Sequence, residues 1–86
     1  MKAKKGFLLR KMGKEFMLVP IGEESRQFNG LIRLNGAGAW LWEQLAEEIT
    51  EEELVRRMCE YYEGLDAQTA SADLKEFLAA VSLALE

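Results

Sequence analysis

Histidine is absent from this chain of 86 residues, and cysteine and proline occur once each. The first absence excludes the usual general base, the commonest metal ligand, and any Ser-His or Cys-His nucleophile pair. One cysteine, Cys59, cannot form an intrachain disulfide or a zinc site of the usual Cys/His kind. It falls on an apolar helical stripe, where a free thiol behaves as a small hydrophobe. No apolar run approaches membrane-spanning length. The start "MKAKKGFLLRKMGK" is basic, but its apolar stretch is short and broken by Arg10 and Lys11, unlike a signal peptide. A reduced, cytoplasmic protein is the resulting expectation. Positive charge is also in deficit. Eleven Lys and Arg against fifteen Asp and Glu give a net charge of −4, which argues against nucleic acid as a default partner.

The apolar content, about half the residues, suits a folded chain rather than a disordered tail. Residues 1–86 are read as a single domain, with no linker, repeat or low-complexity segment. "GFLLRKM" and "EFMLVPI" read as two strands joined by Gly13-Lys14, a Gly-X loop that suits a type II′ hairpin. Pro20 lacks an amide hydrogen and belongs at the end of the second strand or on a free edge. "GEESRQ" reads as a polar connection, and "FNGLIRL" as a third strand. Ile32 and Leu34 lie on one of its faces, Leu31 and Arg33 on the other. Gly30 suggests a bulge or a close backbone approach.

After Leu34 the apolar period changes from two to about 3.6. Asn35 is a suitable N-cap for a helix reaching about Glu48, with Leu41, Trp42 and Leu45 on its apolar stripe. Trp42 is expected in the core and Trp40 partly exposed, since i and i+2 point to different sides. Thr50-Glu51-Glu52-Glu53 reads as a capping box opening a second helix, ended by Gly64 at C′. Asp66 can cap a third helix, whose stripe Ala70, Leu74, Phe77, Leu78, Val81 and Leu85 runs to the chain end. The expected fold class is α+β: a three-stranded antiparallel sheet followed by three helices, β-β-β-α-α-α, with one sheet face on the helices.

Catalytic chemistry finds no foothold in this pattern. "NGAGAW" has glycines between strand and helix, but lacks the third glycine of a dinucleotide fingerprint and any following βαβ unit. "EEITEEE" crowds carboxylates at a helix end and the next helix start, where solvated acidic side chains are expected. No catalytic residue, metal or cofactor is expected. By elimination, the chain binds something.

One stretch carries more. "GLIRLNGAGAWLWEQL", residues 30–45, resembles the strand-to-helix corner of the PqqD-like family, the peptide chaperones of pyrroloquinoline quinone biosynthesis. Leu34-Asn35, Leu41-Trp42 and Leu45 carry the corner, and Thr50-Glu51-Glu52-Glu53-Leu54 is similar to the start of the family's second helix. Asp73-Leu74, Phe77-Leu78 and Val81 resemble its third helix, and the hairpin with Val19-Pro20 also fits. Ala84 departs from the pattern, where the family often has Gly. The resemblance implies a winged-helix-like RiPP recognition element. Such a domain binds the leader of a ribosomally synthesised precursor peptide by strand addition and presents it to a modifying enzyme, often a radical SAM protein. Carried over, Gly30, Leu31, Ile32, Arg33 and Leu34 would meet the peptide. Leu74, Lys75, Leu78 and Ser82 would line the other wall of the groove, with Arg33 and Lys75 facing acidic leader side chains. For Leu74 and Leu78 plain core packing is an equal reading. An unpaired edge strand also leaves room for a homodimer. The alternative is a winged-helix DNA-binding regulator, against which stand Glu51, Glu52 and Glu53 at the start of the helix that would enter a groove.

Overall fold

A computed structural model describes residues 1–28 and 30–86. Strands β1 (Phe7–Met12) and β2 (Glu15–Pro20) form a hairpin, followed by a four-residue helix α1 (Glu24–Gln27) and the short strand β3 (Ile32–Leu34). Three longer helices follow: α2 (Gly36–Gln44), α3 (Glu51–Tyr61) and α4 (Ala67–Ala80). A 3-10 turn over Ser82–Ala84 closes the chain. The fold is α+β, with an antiparallel sheet in the order β1-β2-β3. It differs from the sequence reading in α1, which occupies the connection expected to be irregular. There Gly22 takes a positive φ of 59° and its carbonyl accepts from the Ser25 hydroxyl and amide.

The hairpin behaves as its residues dictate. Gly13 has φ 65° while Lys14 has no positive φ, the combination that separates a II′ turn from I′. A two-residue loop makes its flanking pair, Met12 and Glu15, the hydrogen-bonded kind, and the kinds alternate outward from there. Arg10 with Met17 and Leu8 with Val19 are therefore also bonded pairs, and the series continues beyond the strands in the Ile21 amide donating to the Gly6 carbonyl at 2.8 Å. The same alternation turns the amides of Phe16 and Leu18 toward β3, opposite Leu34 and Ile32. The next bonded position would set Pro20 against Gly30, and proline has no hydrogen to give. The β2–β3 ladder stops there, which is why β3 is so short. Gly30 itself has φ 130°, a conformation other residues rarely adopt, and open space where a Cβ would stand. Of the two readings of Gly30, a bulge or a close backbone approach, the second does not hold, and the residue is a backbone bend at the entry to β3. Asn29, part of the expected third strand, lies outside the described residues.

Three capped helix starts fix the helical layer. The Asn35 side chain accepts from the Gly38 amide at 2.7 Å, Thr50 from Glu53 at 3.1 Å, and Asp66 from Thr69 at 2.7 Å. Only half of the expected capping box forms. The Glu53 carboxylate turns to Arg56 and Arg57 instead of back toward Thr50. These guanidinium groups hold its pKa down, from 4.5 to about 2. Between α3 and α4, Gly64 has φ 81° at the third position of a turn in which the Leu65 amide donates to the Tyr62 carbonyl. That is type II turn chemistry rather than a helix C′.

Two helices end earlier than their apolar stripes suggest. α2 stops at Gln44, because Glu47 and Glu48 would sit against the negative end of its dipole. The chain there turns to bury Ile49, and the Met1 ammonium bonds Glu48 and the Ile49 carbonyl. α4 stops at Ala80, and the 3-10 turn buries Ala84 while Leu85 bridges antiparallel to Ala3. The core lies between the inner sheet face and the three long helices. Phe7, Leu18 and Leu34 meet Leu41, Trp42, Leu45, Leu54, Met58, Leu74, Phe77 and Val81 there. Trp42 is buried, whereas Trp40 is partly exposed and stacks on Tyr61 with centroids 4.6 Å apart.

Candidate functional site

β3 is an edge strand, and its hydrogen-bond parity determines what that edge offers. Ile32 and Leu34 direct their peptide groups at β2, so Arg33 directs its N–H and C=O away from the sheet. Leu31 precedes the strand, and its carbonyl, trans to the Ile32 amide across their shared peptide, also faces away from β2. Side chains alternate on the other axis: Ile32 and Leu34 turn toward the core, Leu31 and Arg33 toward the outer face. On that face Arg10, Met17 and Arg33 stand in one row across the three strands. Met17 is only 8% exposed although it lies on the outer face, because the two arginine stems flank it.

A cleft of about 720 Å³ lies beside the C-terminal end of β3. Its strand side is Arg33, Leu34 and Asn35, and the start of α2 contributes Ala37, Gly38 and Leu41. Met58 and the α3–α4 turn from Tyr62 to Leu65 form one end, and Asp73, Glu76, Phe77 and Ala80 of α4 form the far wall. The strand-to-helix corner creates this opening. A Cβ on Gly38 would stand 3.3 Å from Asn35 Oδ1 and from Leu34 Cβ, so a residue without a side chain brings α2 close to β3. The floor is apolar, made by Leu34, Leu41, Met58 and Phe77, all members of the core. Its rim is charged: Arg33 stands on the strand side, Glu63, Asp73 and Glu76 on the helix side. Tyr62 at the rim has its phenol pKa pushed up by burial and then by neighbouring Tyr61.

The structure brings together only part of the expected site. Arg33 and Leu34 line the cleft, Leu31 is 54% exposed beside it, and Ile32 is half-buried on the core side. Gly30 is exposed at the strand entry. Leu74, Lys75, Leu78 and Ser82 do not line the cleft, and their expected wall is formed by Asp73, Glu76, Phe77 and Ala80. Helical phase is the reason. Leu74 is 1% exposed within the core, Leu78 packs half-buried against it, Lys75 points to solvent, and Ser82 lies beyond α4 in the 3-10 turn. At 100° per residue, positions 73, 76 and 80 share a flank that positions 75, 78 and 82 do not. The apolar stripe revealed which side of α4 is core. It held no sign of which flank faces β3.

Among the described residues, no group of three or more His, Cys, Asp or Glu is arranged to hold a metal ion. No helix is long and apolar enough to cross a membrane among those residues. The long helix with a basic pair, α3, has its arginines occupied. Arg56 bonds Glu53 and Glu60, and Arg57 bonds Glu53 and Gln44.

An open sheet edge beside an apolar-floored cleft defines a small α+β binding domain. The chain belongs to the PqqD family, described as coenzyme PQQ synthesis protein D, whose family model matches residues 15–82. It is also similar to TbiB1, solved in complex with the TbiA(beta) leader peptide. The similarity is 26% in sequence identity with a TM-score of 0.75, covering all of this chain and 95% of the other. No curated protein matches the chain. The recognised fold is therefore that of the PqqD-like RiPP recognition element.

Proposed function

We propose that this chain is a non-catalytic peptide-binding adaptor that captures the leader segment of a ribosomally synthesised precursor peptide. The leader adds to the free edge of β3 as a fourth strand, pairing with the backbone of Leu31 and Arg33. Alternate side chains drop into the cleft between β3 and α4, and the remainder lie on the outer face beside Leu31 and Arg33. The adaptor then presents the leader to a modifying enzyme, a radical SAM protein in the family's usual pairing. The carrying observation is the coincidence of a free, outward-facing peptide group at Arg33 with the cleft at the same strand. Membership of the PqqD family and likeness over the full chain to a protein solved with a leader peptide support it.

The test is a titration of the isotopically labelled chain with the leader encoded beside it, followed by amide chemical shifts. Shifts should gather on residues 31–34 and on the cleft wall around Asp73, Glu76 and Phe77. Shifts centred on the outer side of α3, around Arg56, would refute the edge-strand reading. Addition of the neighbouring modifying enzyme should leave those shifts in place and broaden the signals of the complex.

A further inference from the structure

The rim of the cleft is unequal in charge. Glu63, Asp73 and Glu76 are all exposed on its helix side, and Arg33 is the single cation lining it. Among the described residues, none of these four makes an ion pair within 4.0 Å. Lys75, the one cation of α4, lies off the cleft wall. Arg56 and Arg57 are engaged by their own helix, so neither neutralises the rim. The surplus carboxylates thus lack compensation from the protein itself.

Strand geometry converts this imbalance into a pattern. A strand added to β3 places every second side chain on the core face, the side on which Leu34 points. A residue standing opposite Leu34 would enter the floor made by Leu34, Leu41, Met58 and Phe77, and must be apolar. Its neighbours two positions away share the same face, displaced by about 7 Å along the strand. That displacement carries them from the floor to the acidic rim. The intervening residue points to the opposite face, beside the Arg33 guanidinium.

We infer that the occupant of this cleft is a peptide with an apolar anchor flanked at two-residue spacing by lysine or arginine. An acidic or polar residue lies between them, opposite Arg33. This rests on the leader-peptide reading of the cleft, and reverses the expectation that α4 contacts acidic leader side chains. Asp73 and Glu76 are the specificity-determining pair, with Glu63 adding to the same field.

The experiment is selection of a displayed random dodecapeptide library on the immobilised full chain, with selected sequences remade as labelled synthetic peptides. Apolar anchors with Lys or Arg two positions away should be enriched. Exchanging each flanking Lys for Glu should weaken binding about threefold or more per exposed pair. The preference should fade as salt rises toward a Debye length shorter than the rim spacing. In the double variant D73K/E76K the preference should invert toward Glu, and D73N/E76Q should reduce it to the share that Glu63 supplies. Both positions are exposed, so the fold is checked by circular dichroism and both variants remain usable. Selected peptides that shift the Arg33, Leu34 and Phe77 amides without any basic preference would overturn the inference and leave the leader reading standing. Selected peptides that shift other surfaces would overturn both.

Discussion

Proline substitution along β3 separates the edge that meets a peptide from the edge that holds the sheet. The parity derived from the hairpin places the amide of Ile32 inside the β2–β3 ladder and that of Arg33 outside it. Leu31 precedes the strand, and Leu31→Pro removes an amide that has no backbone partner among the described residues. Loss of one intermolecular backbone bond costs about 0.5–1.5 kcal/mol, and the exposed position lets water reach the partner carbonyl left behind. Leader affinity should therefore fall about two- to tenfold, since about 1.4 kcal/mol corresponds to a factor of ten. The melting temperature should move by only a few degrees. Ile32→Pro instead deletes a ladder bond and leaves the Leu18 carbonyl unpaired in a fully buried region. A cost of about 2–3 kcal/mol corresponds to a drop of roughly 8–24 °C for a domain of this size. Arg33→Ala keeps the backbone and serves as a control for the guanidinium. The assays are fluorescence anisotropy with the labelled leader and a thermal melt of each variant. Normal leader binding by a folded Leu31→Pro chain, with loss confined to Arg33→Ala, would refute strand addition and leave only a charge contact.

Two further outcomes test the fold around that site. Trp42→Ala should destabilise the domain by about 3–5 kcal/mol, because the residue is 7% exposed and belongs to the core cluster. Trp40→Ala should cost only about 0.5–1.5 kcal/mol through its stack with Tyr61, and equal shifts in denaturant melts would contradict the assigned helix phase. The Glu53 carboxyl, held down to about 2 by Arg56 and Arg57, stabilises the start of α3 above its ordinary pKa of 4.5. That contribution is lost as pH falls from 4.5 through 2, and Glu53→Gln should remove this part of the acid transition in a pH melt.

Much of the architecture was legible in the residues because it rests on local chemistry. Gly13-Lys14 set the hairpin turn, Asn35, Thr50 and Asp66 set three helix starts, and period changes marked strand from helix. The helix ends were less legible. Beyond Ala80 the course of the chain depends on a distant partner, Leu85 bridging to Ala3, and beyond Gln44 the Met1 ammonium holds Glu48 and the Ile49 carbonyl. No local pattern encodes a contact between the two ends of the chain.

The site divides in the same way. Arg33 and Leu34 could be placed from the sequence, since alternation along a strand depends only on the backbone and the adjoining cap at Asn35. Asp73, Glu76 and Ala80 could not. A helical stripe identifies the buried side of α4, but only the packing of α4 on α3 turns one of its flanks to the cleft. The same packing gathers three carboxylates, Glu63, Asp73 and Glu76, on one rim. Local hydrogen bonding and side-chain period thus determined the elements, while the relative rotation of packed elements, a property of the whole core, decided which side chains face the cleft.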